Sequence, residues 1–127
     1  MNLEKVIFGF FIVFAATLNF GFVIGEIDNP THHNALELFF AIVVNLIATV
    51  LKFGDRTQVG AVHLATSLVA DLQLLAAACA WAYAVYASPN GVDAAAITAI
   101  VSLSAGALLA NIISVVMLII ETMMLRR

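Results

Sequence analysis

The side chains best suited to chemistry lie within long apolar stretches of the sequence, and Asp71 is the most informative of them. A carboxylate at the centre of a bilayer costs about 2.5–3.5 kcal/mol on insertion scales. A Lys or Arg at the same depth would offset that cost, but the sequence offers none there. Asp71 therefore needs a proton, a metal ion or water as its partner.

His63 and Ser67 precede Asp71 at successive steps of four residues, which puts these side chains on one face of a helix. The same residue types form hydrolytic triads, but one helix cannot bring groups two turns apart onto one reacting atom. We therefore expect no enzymatic activity and no cofactor. The polar face formed by His63, Ser67 and Asp71 instead favours a half-channel that leads to Asp71. Asn45 and Thr49 offer a matching polar face on the preceding apolar stretch.

Each of the other apolar stretches also carries an asparagine near its middle, at Asn19, Asn45 or Asn111. Such residues are costly in hydrocarbon, so we expect them to face the protein interior or water. The alternative is that they are hydrogen-bonding contacts between helices, worth about 0.6 kcal/mol each. The ion pathway predicted from the sequence comprises Asp71, Asn45, Asn19, Asn111, Ser67 and His63.

The composition explains which elements position these residues. Apolar residues make up 64% of the 127 residues, with a mean hydropathy of +1.10, which is far more apolar than a soluble domain. The length leaves room for membrane spans of about 20 residues each and little else. We predict an all-α integral membrane protein with a single four-span domain over residues 1–127, its spans at about 3–25, 35–53, 57–87 and 93–125.

The positions of the basic residues predict how these spans are oriented. Lys and Arg remain on the cytoplasmic side during insertion. They occur only near both chain ends and in the middle loop, at Lys5, Lys52, Arg56, Arg126 and Arg127. The spans are therefore expected to be antiparallel, with N and C termini cytoplasmic, in a bacterial inner membrane. The outer loops carry only acidic charges, which either concentrate cations or are simply tolerated. No basic face exists for nucleic acid.

Turn and cap residues mark the ends of the spans. Asn34, with Glu37 three residues later, is typical of a capping box at the start of the second span. Asp55 is expected to cap the third span and Asp93 the fourth. Gly54 suits the left-handed conformation that follows a helix end.

Other charged groups have less specific interpretations. Glu121 lies near Arg126 and Arg127, and pairing with one of them is the simplest expectation. The adjacent His32 and His33 of the first outer loop, close to several acidic residues, could bind a divalent metal. Whether the protein binds a metal at all is left open by the sequence.

Small residues recur on several helix faces and permit close helix packing. In the fourth span they lie at every fourth position, and the first span has a shorter version; the residues are Ser102, Gly106, Ala110, Ser114, Gly21 and Gly25. Packing within the monomer is one use of these faces. Their number also predicts a homo-oligomer in the lipid bilayer.

These patterns support two hypotheses of different classes. The first is a small oligomeric membrane protein that provides a pathway for a cation or proton past Asp71. The second is a non-transporting accessory or scaffold subunit of a larger membrane transport complex, to which a small chain with smooth helix faces is suited.

Overall fold

The computed structural model describes residues 3–54 and 57–125, and this part of the chain is helical. It contains four α-helices and a short 3-10 helix at Pro30–His32, which precedes the second α-helix. The α-helices are α1 (Leu3–Val23), α2 (Ala35–Lys52), α3 (Gln58–Tyr86) and α4 (Ala94–Leu125). Within the described residues all four are long and apolar enough to cross a membrane, which confirms the all-helical fold class and indicates a membrane protein.

Local side chains determine where these helices begin. Asn34 accepts a hydrogen bond from the Leu36 N–H at 2.8 Å, which confirms it as the N-cap of α2. Asp93 does the same for the Ala96 N–H at the start of α4, also at 2.8 Å. At the start of α3 the prediction is wrong, because the N-cap is Thr57, which accepts from the Gly60 N–H. The predicted cap, Asp55, lies outside the described residues.

The predicted capping box at Asn34 is only half formed. The carboxylate of Glu37 lies against Gly21 of α1, where any larger side chain would collide with it. A contact between helices thus takes the place of the local one. Gly54, after the end of α2, has a φ of 136°, in the left-handed region that glycine adopts without strain.

The helices form a closed bundle in which each packs on two others. Helix α1 packs on α2 and α4, and α3 packs on the same pair. At a rise of 1.5 Å per residue, α3 and α4 are about 43 and 48 Å long, longer than a hydrocarbon core of about 30 Å. Helices of this length would have to tilt or to extend beyond the apolar layer in order to cross a bilayer.

The surface of this bundle is as apolar as its core. Phe10, Phe20, Val50 and Leu72 are all more than half exposed. A helix that is apolar on every face belongs in a membrane rather than in water. The outward-facing side chains therefore match lipid, while several of the polar side chains point inward.

Candidate functional site

Every residue of the predicted ion pathway is buried inside the bundle. The exposed fractions run from 0% for Asn19, Asn45, His63 and Ser67, through 1% for Asn111, to 6% for Asp71. Each of the long helices contributes at least one of these side chains. The bundle therefore has a polar interior, but its members have different partners.

Asp71 is hydrogen-bonded across the interface between α2 and α3. The Thr49 hydroxyl lies 2.6 Å from Oδ2 of Asp71 and 2.9 Å from the carbonyl oxygen of Asn45. The Asn45 amide in turn donates from Nδ2 to the Ala41 carbonyl at 2.9 Å. Thr49 is not among the predicted pathway residues, although its spacing of four residues from Asn45 places both on one helix face.

His63 makes the next polar contact, closer to the start of α3. Its Nδ1 lies 3.4 Å from the Ser114 hydroxyl, and that hydroxyl lies 2.5 Å from the hydroxyl of Thr66. The other ring nitrogen, Nε2, is 3.9 Å from Oε2 of Glu121. The ring edge also packs on Phe8, with centroids 5.0 Å apart. His63 thus connects α3 to α1 and α4.

Several buried polar atoms of this interior form no hydrogen bond with any described residue. They are Oδ1 of Asp71, Oδ1 of Asn45, Oγ of Ser67 and both amide atoms of Asn111. Leaving such a group unpaired costs about 1–3 kcal/mol, and buried polar groups in native proteins are nearly always paired, with protein or with ordered water. Together with the polar side chains bonded to Asp71 and His63, these atoms belong to a set of buried and half-buried residues that we call the polar column: His63, Thr66, Ser67, Asp71, Asn45, Thr49, Asn111 and Ser114.

The polar column ends near a cavity of about 730 Å³ at one end of the bundle, which we call the vestibule. Glu4, Lys5, Lys52 and Glu121 are among its lining residues. Lys5 forms an ion pair with Glu121, and the Lys52 ammonium lies 4.2 Å from the centre of the Phe8 ring. The vestibule is therefore charged, with basic groups from α1 and α2.

Beyond Asp71, an apolar cluster fills much of the bundle interior, although the buried Asn19 and Ser104 and the inward-facing Gln73 also lie on that side. On α3, Leu74 and Ala77 follow Asp71, whereas Ser67 and His63 precede it on the vestibule side. An apolar plug fills this end, formed by Phe22, Leu38, Leu74, Ile97, Ile100 and Val101. The Phe22 ring also lies 6.2 Å from that of Trp81. The polar column thus approaches the vestibule at one end, and the apolar plug lies at the other end of the bundle.

Asn19 is bonded to the α4 backbone rather than to the polar column. With its amide oriented to match its neighbours, Nδ2 donates to the Ser104 carbonyl and Oδ1 accepts from the Leu108 N–H, both at 3.0 Å. These backbone groups belong to one turn of α4. The geometry fits the alternative interpretation of this asparagine, a hydrogen-bonding contact between helices.

The two histidines of the first connection are held within that loop. His33 is 3% exposed, with Nδ1 2.6 Å from the Phe22 carbonyl oxygen and Nε2 2.7 Å from that of Glu26. His32 accepts the Glu26 N–H at 2.9 Å. Across the ranges that the structure describes, no group of three or more His, Cys, Asp or Glu side chains could hold a metal ion. The loop geometry fits a structural role for both rings.

The small residues predicted to pack helices together have different positions. Ala110 and Ser114 are buried, and Gly106 packs so closely on Gln73 of α3 that a Cβ would meet it. Ser102 is exposed. Gly21 contacts α2, whereas Gly25 lies beyond the end of α1 with a φ of 109°.

Comparison with known proteins gives a family but no activity. A family model described as "Family of unknown function (DUF6394)" matches residues 32–122. That range contains the whole polar column and Glu121, while Lys5 and Asn19 precede it. No curated protein and no solved structure matches the chain.

Proposed function

The chain belongs to this family of unknown function, and we propose that its bundle conducts a proton, or a small monovalent cation, along the polar column past Asp71. The observation that carries the proposal is the buried carboxyl group of Asp71, whose Oδ1 forms no hydrogen bond within the described residues. An acid kept in an apolar bundle at such cost is typical of ion and proton pathways.

The side chains of the polar column are better suited to carrying a proton than to binding a metal cation. A carboxyl group, an imidazole and hydroxyls can each accept and release a proton, and Asp71, His63, Ser67 and Thr66 supply them. A small cation would use the side-chain oxygen atoms of Asp71, Ser67 and Thr66, with Asp71 as the acidic ligand among them. One acidic ligand suits a monovalent ion better than a divalent one.

The proposal includes an orientation in the membrane. Lys5 and Lys52 both line the vestibule, so the rule that basic residues stay inside assigns the vestibule to the cytoplasm. The pairs Lys5–Glu121 and Asn19–Ser104 support an antiparallel arrangement of α1 and α4. Both termini are then cytoplasmic, and the plug lies on the outer side.

Flux into proteoliposomes containing only this protein tests the proposal. A potassium diffusion potential drives protons, and a dye inside the vesicles reports their entry. We expect Asp71→Asn to lower the flux by about 100-fold, because the protonatable group is lost. The matched control is Asp28→Asn, in an exposed part of the first connection, which should conduct normally.

The possible outcomes separate the alternatives. Flux of sodium or potassium that depends on Asp71 would identify a cation as the cargo. Wild-type flux in Asp71→Asn would exclude the pathway. The second candidate function is a non-transporting subunit, which the broad apolar surface also suits. In that case the wild-type protein alone would conduct nothing and would be stable only with a co-purifying partner, whereas a conducting homo-oligomer supports the first.

A further inference from the structure

Glu121 connects the vestibule to the polar column. Its Oε1 binds the Lys5 ammonium, and its carboxylate is among the groups that line the vestibule. Its Oε2 is buried, forms no hydrogen bond with the described residues, and lies 3.9 Å from Nε2 of His63. The Glu121 side chain is 21% exposed, whereas the imidazole of His63 that its Oε2 approaches is fully buried.

His63 is placed to pass a proton onward. An imidazole can accept a proton at one ring nitrogen and release another from the second. Nε2 of His63 faces Glu121, and Nδ1 faces the Ser114 hydroxyl, which contacts Thr66. His63 to Asp71 spans about 12 Å along α3. Glu121, His63, Ser114 and Thr66 therefore form a chain of exchangeable groups pointing from the vestibule into the column.

We propose that Glu121 is the entry site for protons, and that it passes them from the vestibule to His63 while Lys5 balances its charge. This inference rests on the proposed function and deepens it by naming the proton as the cargo. A proton from vestibule water binds the carboxylate and then moves to Nε2 of His63. The proton on Nδ1 leaves towards Ser114, which returns the ring to neutral with its hydrogen on Nε2. Before the next transfer the ring must rotate or exchange that hydrogen so that Nε2 is again free to accept.

The separation between Glu121 and His63 sets a condition on this step. At 3.9 Å, Oε2 and Nε2 are beyond hydrogen-bond length, so transfer needs a shift of about 1 Å or one bridging water. The Lys5 pair limits that shift, because it holds the carboxylate at its other oxygen. Lys5 therefore positions Glu121 and does not itself carry the proton.

The test compares Glu121→Gln with the double variant Lys5→Met/Glu121→Gln in the same flux assay. We expect Glu121→Gln to reduce proton flux by about 100-fold. The double variant removes both charges of the pair between Lys5 and Glu121. It should remain inactive if Glu121 carries protons, and should regain flux if the ion pair is only structural. Glu121→Asp should keep part of the flux.

Controls make each outcome decisive. The matched acidic control is Glu26→Gln, an exposed side chain of the first connection far from the vestibule, which should conduct as the wild type does. Flux above half the wild-type level in Glu121→Gln or in the double variant overturns the entry site. If Asp71→Asn is inactive and Glu121→Gln is active, this inference alone fails. If Asp71→Asn conducts normally, the proposed function fails first.

Discussion

The hydroxyl of Thr49 on α2 lies 2.6 Å from the carboxylate of Asp71 on α3. The same hydroxyl lies 2.9 Å from the carbonyl of Asn45, and it has one hydrogen to donate. A neutral Asp71 can donate from Oδ2 to Thr49, which then donates to the Asn45 carbonyl, so each of these two contacts has its own hydrogen. When Asp71 is charged, the Thr49 hydroxyl instead donates its hydrogen bond to Asp71, and the Asn45 carbonyl loses this donor. The orientation of one hydroxyl therefore follows the protonation of Asp71.

Thr49→Val tests this link with little change of shape. The variant leaves Oδ2 of Asp71 without its Thr49 donor, so we expect a loss of about 1–3 kcal/mol in the free energy of unfolding. Proton flux should also fall. Unfolding in detergent micelles measures the first effect and proteoliposomes the second.

Thr17→Val is the matched control, because exposed Thr17 donates only to the Phe14 carbonyl of its own helix. That variant should differ from the wild type by less than about 0.5 kcal/mol. Equal stability of the two variants would show that the contact between Thr49 and Asp71 contributes nothing to the fold.

His33→Leu should weaken the connection between α1 and α2. Both ring nitrogens of His33 lie at hydrogen-bond distance from carbonyl oxygens, those of Phe22 and Glu26. Leucine fills similar space but removes the ring partner of the Phe22 carbonyl, while the Glu26 carbonyl keeps the Asn29 N–H at 3.2 Å, so we expect a cost of about 2 kcal/mol. Thermal unfolding in micelles measures the loss. The exposed neighbour provides the control: His32→Leu should lower the free energy of unfolding by only about 1 kcal/mol. Equal losses of stability in the two variants would contradict a special role for His33.

The proposed orientation can be tested by cysteine labelling of intact cells. The background is Cys79→Ala, which removes the natural thiol. A membrane-impermeant maleimide should label Asn90→Cys in intact cells, because residue 90 belongs to the proposed outer connection between α3 and α4. Phe53→Cys, in the connection at the vestibule end, should be labelled only after lysis. The opposite pattern would invert the proposed topology and assign the vestibule to the outer face.

Local signals in the sequence were enough to predict most helix starts. Asn34 and Asp93 cap α2 and α4 because a cap involves groups within a single turn. The start of α3 was harder, since Asp55 and Thr57 are both good caps and lie close together. Thr57 takes the role because its backbone is extended where the first turn begins, with a φ of −72° and a ψ of 158°.

Partners across the bundle could not be predicted from the sequence. Thr49 and Asp71 are 22 residues apart, and Lys5 and Glu121 are 116 apart. Proximity along the chain favours Arg126 or Arg127 as the partner of Glu121; both lie outside the described residues, and the structure pairs Glu121 with Lys5 at the start of α1. Such contacts depend on how each helix is rotated about its own axis. When most faces of a helix are apolar, the hydrophobic pattern of the sequence does not specify that rotation.

The contact of Asn19 with α4 differs from an ordinary bond between helices in what its loss would cost. The Ser104 carbonyl and the Leu108 N–H that it joins are four residues apart, so they are each other's natural partners within the helix. Those backbone groups can satisfy one another within the continuous helix α4, so removal of the amide would leave only α1 short of partners. Loss of Asn19 should therefore weaken the attachment of α1 without breaking the helix it binds.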